Sequence, residues 1–89
     1  MTPYSAEEIE NWLVRYIAKE LGARPEQISV SEEFVNMGLS SRQAVVLMLD
    51  METWLGLPTD AGLVYDYPTI RALAQFLTSP SAAGAAGRA

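Results

Sequence analysis

The chemistry open to this chain is narrow, because it contains no histidine and no cysteine. That removes the usual general base, the commonest neutral metal ligand and any thiolate site. Hydroxyls and carboxylates remain. No pair of acids converges in a way that suits hydrolysis, so no catalytic residue and no metal site is expected. Two adjacent hydroxyls draw attention. Ser40 and Ser41 stand in FVNMGLSSRQAVVLML, residues 34 to 49, where a loop gives way to an apolar run. A serine at a helix start satisfies an exposed amide with its own oxygen. The same place suits a negatively charged ester, because free amides and the helix dipole converge there. The two roles are compatible, and one of these serines can do either.

The element that must hold these hydroxyls is a helix from about Ser41 to Leu55, closed by Gly56. At 100° per residue, Ala44, Leu47, Met48, Met51 and Leu55 fall within one arc of about 100° and should face a core. Arg42, Val46, Leu49 and Thr53 lie on the far side, with Val45 at its edge. Val46 and Leu49 are thus apolar where the core does not need them, unless the short third helix or the long loop covers them. Met48 and Met51 read as core, although pliable methionines could also open a groove. Asp50 and Glu52 flank the outer face.

Three further helices complete the pattern. Ser5 and Glu8 form a capping box for a first helix, whose stripe of Ile9, Trp12, Leu13, Tyr16, Ile17 and Leu21 ends at Gly22. A short helix, AGLVYDY at 61 to 67, follows Asp60 as N-cap and stops before Pro68. Thr69 caps a last helix striped by Ile70, Leu73, Ala74 and Leu77. Between Gly22 and Ser40 runs a long connection pinned by Ile28, Val30, Phe34 and Met37, with single helical turns expected at Pro25 and at SEE, 31 to 33. Tyr65 and Tyr67 could line a groove or pack on the second helix. Trp12 and Trp54 are assigned to packing. No strand pattern or repeat occurs. The expected fold is all-α, a small bundle of three main helices plus one short helix with a long first loop. Residues 1–78 are the expected domain, and 79–89 an Ala/Gly-rich tail or linker.

Composition narrows the partners. Eighty-nine residues, 49% of them hydrophobic, make one small domain with a thin core. The net charge is −5, and the six cations are scattered, so nucleic-acid binding is not expected. An acidic surface suits basic protein partners, or simply solubility. The opening MTPYSAEEIENW is not a signal peptide, and no stretch is long enough to span a bilayer. A cytoplasmic monomer without membrane contact is the expectation.

The stretch NMGLSSRQAVVLMLDMETWLG resembles the acyl carrier protein family, whose attachment motif is Gly, any residue, Asp, Ser, Leu before an apolar helix. Downstream, LVYDYPTIRALAQFL resembles that family's Phe/Tyr-Asp-Tyr-Pro-Thr segment and following helix, in the form typical of modular polyketide synthases. Phe34 stands where these domains place an aromatic residue. The likeness covers roughly residues 6 to 78. It implies an acyl-carrier-like fold, with 4′-phosphopantetheine attached covalently to Ser41 by a phosphopantetheinyl transferase.

The resemblance implies no catalysis by the chain itself, since the reactive thiol belongs to the cofactor. It implies an acyl thioester shuttled among a ketosynthase, an acyltransferase or acyl-AMP ligase, and other enzymes of a polyketide or fatty-acid-like pathway. Partners would grip Ser40, Arg42, Val45, Val46, Leu49, Asp50 and Glu52. Ser40 replaces the family's aspartate, Arg42 its leucine and Val46 a common glutamate, so partner choice departs from the usual pattern. GLSSRQAV before DMETWLG is similar to carriers loaded by fatty acyl-AMP ligases. Two alternatives stay open. A peptidyl carrier usually shows a second glycine that MGLSS lacks, and a cofactor-free helical module would use Ser41 only as a cap.

Overall fold

A computed structural model describes residues 4–56, 58–60 and 62–79. Four helices run in chain order: α1 (Ala6–Leu21), α2 (Ser41–Leu55), α3 (Leu63–Asp66) and α4 (Ile70–Leu77). Two 3₁₀ turns, Pro25–Gln27 and Phe34–Asn36, interrupt the long α1–α2 connection. Among the described residues there is no strand beyond one isolated antiparallel bridge, Glu33 to Thr69. The all-α bundle of three main helices and one short one stands as the sequence indicates. None of the described helices is long and apolar enough to cross a membrane. The proposed tail beyond Ser79 lies outside the described residues.

Each main helix starts where local chemistry says it must. Ser5 Oγ accepts from the Glu8 amide at 3.1 Å while the Ser5 amide donates to Glu8 Oε1 at 2.9 Å. Thr69 Oγ1 accepts from the Ala72 amide at 3.1 Å. Their apolar stripes meet in one core. Ile9, Leu13 and Ile17 of α1, Leu47, Met48 and Met51 of α2, and Ile70, Leu73 and Leu77 of α4 are buried. Burial of each such side chain contributes about 1.5–3 kcal/mol, set against the ordering of the chain. Phe34 reaches into the same core from the loop.

Aromatic rings seal the seam between α1 and α2. Tyr4 stacks on Trp54 at 4.1 Å, Trp54 on Trp12 at 5.0 Å, and Trp12 on Tyr16 at 5.1 Å between ring centroids. Both tryptophans are therefore packing residues, half-buried at the edge of the core. A second stack, Tyr67 on Phe76 at 4.2 Å, closes the base of α4.

Two local expectations are corrected. The second loop turn forms at Phe34–Asn36 and not at 31–33. The Glu33–Thr69 bridge keeps Glu33 extended, and the Phe34 amide donates to the Pro68 carbonyl at 2.8 Å, so the turn begins only at Phe34. The short helix begins at Leu63, later than expected, with Gly62 at its N-cap position. Asp60 acts one step earlier, its Oδ1 accepting from the Gly62 amide at 2.8 Å in a turn that leads into the helix. Tyr67, left open between a groove and packing, packs against the core and stacks on Phe76.

Candidate functional site

The site is built around the start of α2. Gly38 turns the chain with φ of 91°, a conformation other residues rarely adopt, and delivers Leu39 and Ser40 to the helix. Ser40 is the N-cap. Its Oγ accepts from the Gln43 amide at 3.1 Å, and Gln43 Oε1 accepts from the Ser40 amide at 2.9 Å. This reciprocal box answers which serine caps the helix. With Ser40 occupied, Ser41 is the first helical residue, and it is exposed. Its hydroxyl makes no hydrogen bond within the described residues. An unspent, accessible oxygen therefore stands at the positive end of a 15-residue helix.

A small cleft of about 70 Å³ opens beside it. Phe34, Val35 and Leu39 from the loop, Ala44 from α2, and Val64 and Tyr65 from α3 line it together with both serines. Val35 is 68% exposed and Tyr65 67% exposed, so two large apolar groups form the rim. Tyr65 thus joins the site and Tyr67 does not. The sequence reading did not single out Val35. The available signal was its place beside Phe34, since a turn that buries one neighbour turns the next outward. A larger cleft of about 420 Å³, between Leu21 and Met37, lies away from these serines.

The outer face of α2 is apolar and uncovered. Val45, Val46 and Leu49 are 44%, 38% and 58% exposed, so neither α3 nor the loop shields them. Met48 and Met51 are buried in the core. Thr53 bonds back to the Leu49 carbonyl at 3.2 Å. The two flanking acids already have partners inside the protein. Asp50 Oδ2 accepts from the Tyr16 hydroxyl at 2.5 Å, and Glu52 Oε2 accepts from the Thr59 amide at 3.2 Å. Glu52 is half-buried, so it contributes less to an acidic rim than its place on the helix suggested.

Arg42 is exposed and makes no hydrogen bond or ion pair among the described residues. It is the only charged side chain between residues 34 and 49. Among the described residues no group of three or more His, Cys, Asp or Glu comes together to hold a metal.

The arrangement can present a nucleophilic hydroxyl to a visiting enzyme, with an apolar cleft and an apolar helix face for that enzyme to grip. The site fits a group linked through phosphate, because Ser41 Oγ is free and the α2 amides favour an anion there.

Comparison with known proteins agrees with this geometry. Residues 11–77 match the family model described as "Phosphopantetheine attachment site". A stretch of 73 residues is 32% identical to part of a phenolphthiocerol/phthiocerol polyketide synthase of Mycobacterium tuberculosis, covering 82% of this chain. The chain spans only 4% of that protein's length. Two of the similar solved structures are both carrier proteins. One is an acyl carrier protein from Anabaena sp. PCC 7120 with a variant phosphopantetheinylation-site sequence, at TM-score 0.79 and 38% identity, covering 86% of this chain and 88% of that one. The other is a free-standing peptidyl carrier protein from Acinetobacter baumannii, at TM-score 0.77 and 33% identity, covering 82% and 91%.

Proposed function

This chain belongs to the phosphopantetheine-attachment family of carrier proteins, which hold that group covalently, and we propose that Ser41 is its point of attachment and polyketide-type acyl chains its cargo. The observation that carries the reading is the exposed, unspent Ser41 oxygen at the first position of α2, beside a capping residue that has taken over the structural task. In the transferase's site Ser41 Oγ attacks the β-phosphorus of coenzyme A, gives up its proton and displaces adenosine 3′,5′-bisphosphate. When bound, the group supplies the thiol on which an acyl chain is held as a thioester.

The chain's own residues then position and present. The Ser40–Gln43 box keeps the first turn of α2 fixed under the arm. Val35 and Tyr65, on the rim of the cleft beside Ser41, would flank the base of the arm, and Val45, Val46 and Leu49 would offer partners an apolar strip. Contact with each synthase enzyme is brief, as suits a small face shared by several partners. The polyketide assignment draws on the similarity to the mycobacterial synthase and on the DYPT segment before α4.

The test uses mass spectrometry after incubation with coenzyme A and a broad-specificity phosphopantetheinyl transferase. One phosphopantetheinyl group should add to the wild type and to Ser40→Ala, and map to Ser41. Ser41→Ala should stay unmodified. An unmodified wild type, under conditions that load a control carrier, would leave Ser41 as a helix-start residue in an interaction module.

The similarity to a peptidyl carrier favours one second reading, in which the thioester holds an amino acid. Loading assays separate the two. Acceptance of a polyketide-type acyl group from an acyltransferase or acyl-AMP ligase supports the first, and acceptance of an aminoacyl group from an adenylating enzyme supports the second.

A further inference from the structure

The start of α2 has an electrostatic fault. A helix N-terminus carries a partial positive charge and is stabilised by nearby acids. Helix α1 obeys this, with Glu7 and Glu8 in its first turn. Helix α2 has no acid in its first turn, and its cap is a neutral Ser40–Gln43 box. Its second residue is Arg42, a cation at the positive end, exposed and without an ion-pair partner among the described residues. Asp50 and Glu52 are engaged by Tyr16 and Thr59. In a chain of net charge −5, Arg42 is the only charged side chain between residues 34 and 49.

Resting on Ser41 as the attachment point, we infer that Arg42 is a charge partner for the arm's phosphodiester, so that attachment corrects the fault and switches the base of the arm from cationic to neutral. The phosphodiester is a monoanion formed when Ser41 Oγ bonds to phosphorus and the bisphosphate of coenzyme A departs. Neighbouring helical side chains diverge by about 100° and do not face each other. No contact is needed, however. A phosphate one bond beyond Oγ and a guanidinium on a long stem both lie within about one Debye length at moderate salt. The same phosphate meets the α2 amides and dipole. Two consequences follow. The modified protein is more stable than the unmodified one, and the surface around Ser41 carries a different charge in the two states, by which enzymes can tell them apart.

The experiment compares melting temperatures of unmodified and modified protein for the wild type, Arg42→Leu and Arg42→Glu, each product confirmed by mass. In the wild type, modification should raise Tm by about 2–4 °C at ~20 mM salt. That rise should shrink by at least half at ~0.5 M NaCl. The rise should be smaller in Arg42→Leu and should vanish or reverse in Arg42→Glu. Equal rises in wild type and Arg42→Leu, or a wild-type rise untouched by salt, would overturn the role of Arg42 while leaving Ser41 as the attachment point. Absence of any mass gain on the wild type overturns the attachment itself, and is seen before any melt is run. Arg42→Leu restores the residue usual at this position in the family, so the transferase should accept it, and its rise compared with that of the wild type decides the role of Arg42; the salt series shows that the rise is electrostatic.

Discussion

The Tyr16 hydroxyl on α1 donates a 2.5 Å hydrogen bond to Asp50 Oδ2 on α2, joining two helices 34 positions apart in the chain. The bond continues the aromatic stack outward. It also turns one of the two acids flanking the outer face of α2 into a structural group.

Tyr16→Phe should therefore lower stability by about 0.5–1.5 kcal/mol, the net worth of one partly exposed hydrogen bond. Its effect should depend on pH. Burial first, then the hydrogen bond to Asp50, the charge of Asp50 and that of Glu20, push the Tyr16 hydroxyl well above the ordinary value of 10.0. The unfolded chain ionises this phenol above pH ~10 while the folded chain keeps it neutral. The contribution is thus complete below pH ~10 and declines as pH rises beyond it. Urea midpoints at pH ~8 and ~11 should fall further for the wild type than for Tyr16→Phe. Parallel losses would contradict the bond.

The cap of α2 should be separable from the proposed attachment hydroxyl of Ser41. Ser40→Ala should cost about 0.5–2 kcal/mol, and Ser40→Asp should preserve or slightly raise stability, since an aspartate both caps and complements the dipole. Gln43→Ala should cost less than Ser40→Ala, as it removes only the returning half of the box. Chemical denaturation of the three variants checks the order.

Leu73 of α4 is fully buried, in contact with the core shared by α1 and α2. Leu73→Ala should cost about 2–5 kcal/mol, a large share of what so small a domain has. Thermal unfolding followed by circular dichroism measures it. A cost below about 1 kcal/mol would mean that the core relaxes around the gap far more than its packing suggests.

Leu49 should behave in the opposite way. It is 58% exposed, so Leu49→Ser should leave stability within about 0.5 kcal/mol. The same change should slow loading or downstream processing by roughly tenfold, equivalent to about 1.4 kcal/mol at a modest interface hot spot. Steady-state kinetics with the cognate enzyme reads this, and unchanged kcat/KM would remove Leu49 from the docking surface.

The three long helices were legible because each carries its own punctuation: Ser5 with Glu8, Ser40 with Gln43, and Thr69, each followed by an apolar stripe. The choice between Ser40 and Ser41 was also written locally, in the three-residue spacing of Ser40 to Gln43 that repeats the Ser5–Glu8 pattern. The position of the second loop turn was not. It depends on Glu33 meeting Thr69 and on Phe34 meeting Pro68, pairings that no local window contains. The same holds for the acids of α2. A helix wheel gave the directions of Asp50 and Glu52 correctly but could not show Tyr16 and Thr59 waiting there. Val35 was missed because its neighbour Phe34 carried the stronger signal.

The two indoles of Trp12 and Trp54 lie 5.0 Å apart and within 7° of parallel, one from each of the helices that frame the seam. At that separation each indole is the other's immediate surroundings, so the aromatic dichroism and fluorescence of this chain report whether α1 and α2 stay together at the seam. Any event that prises the pair apart becomes visible without any dye.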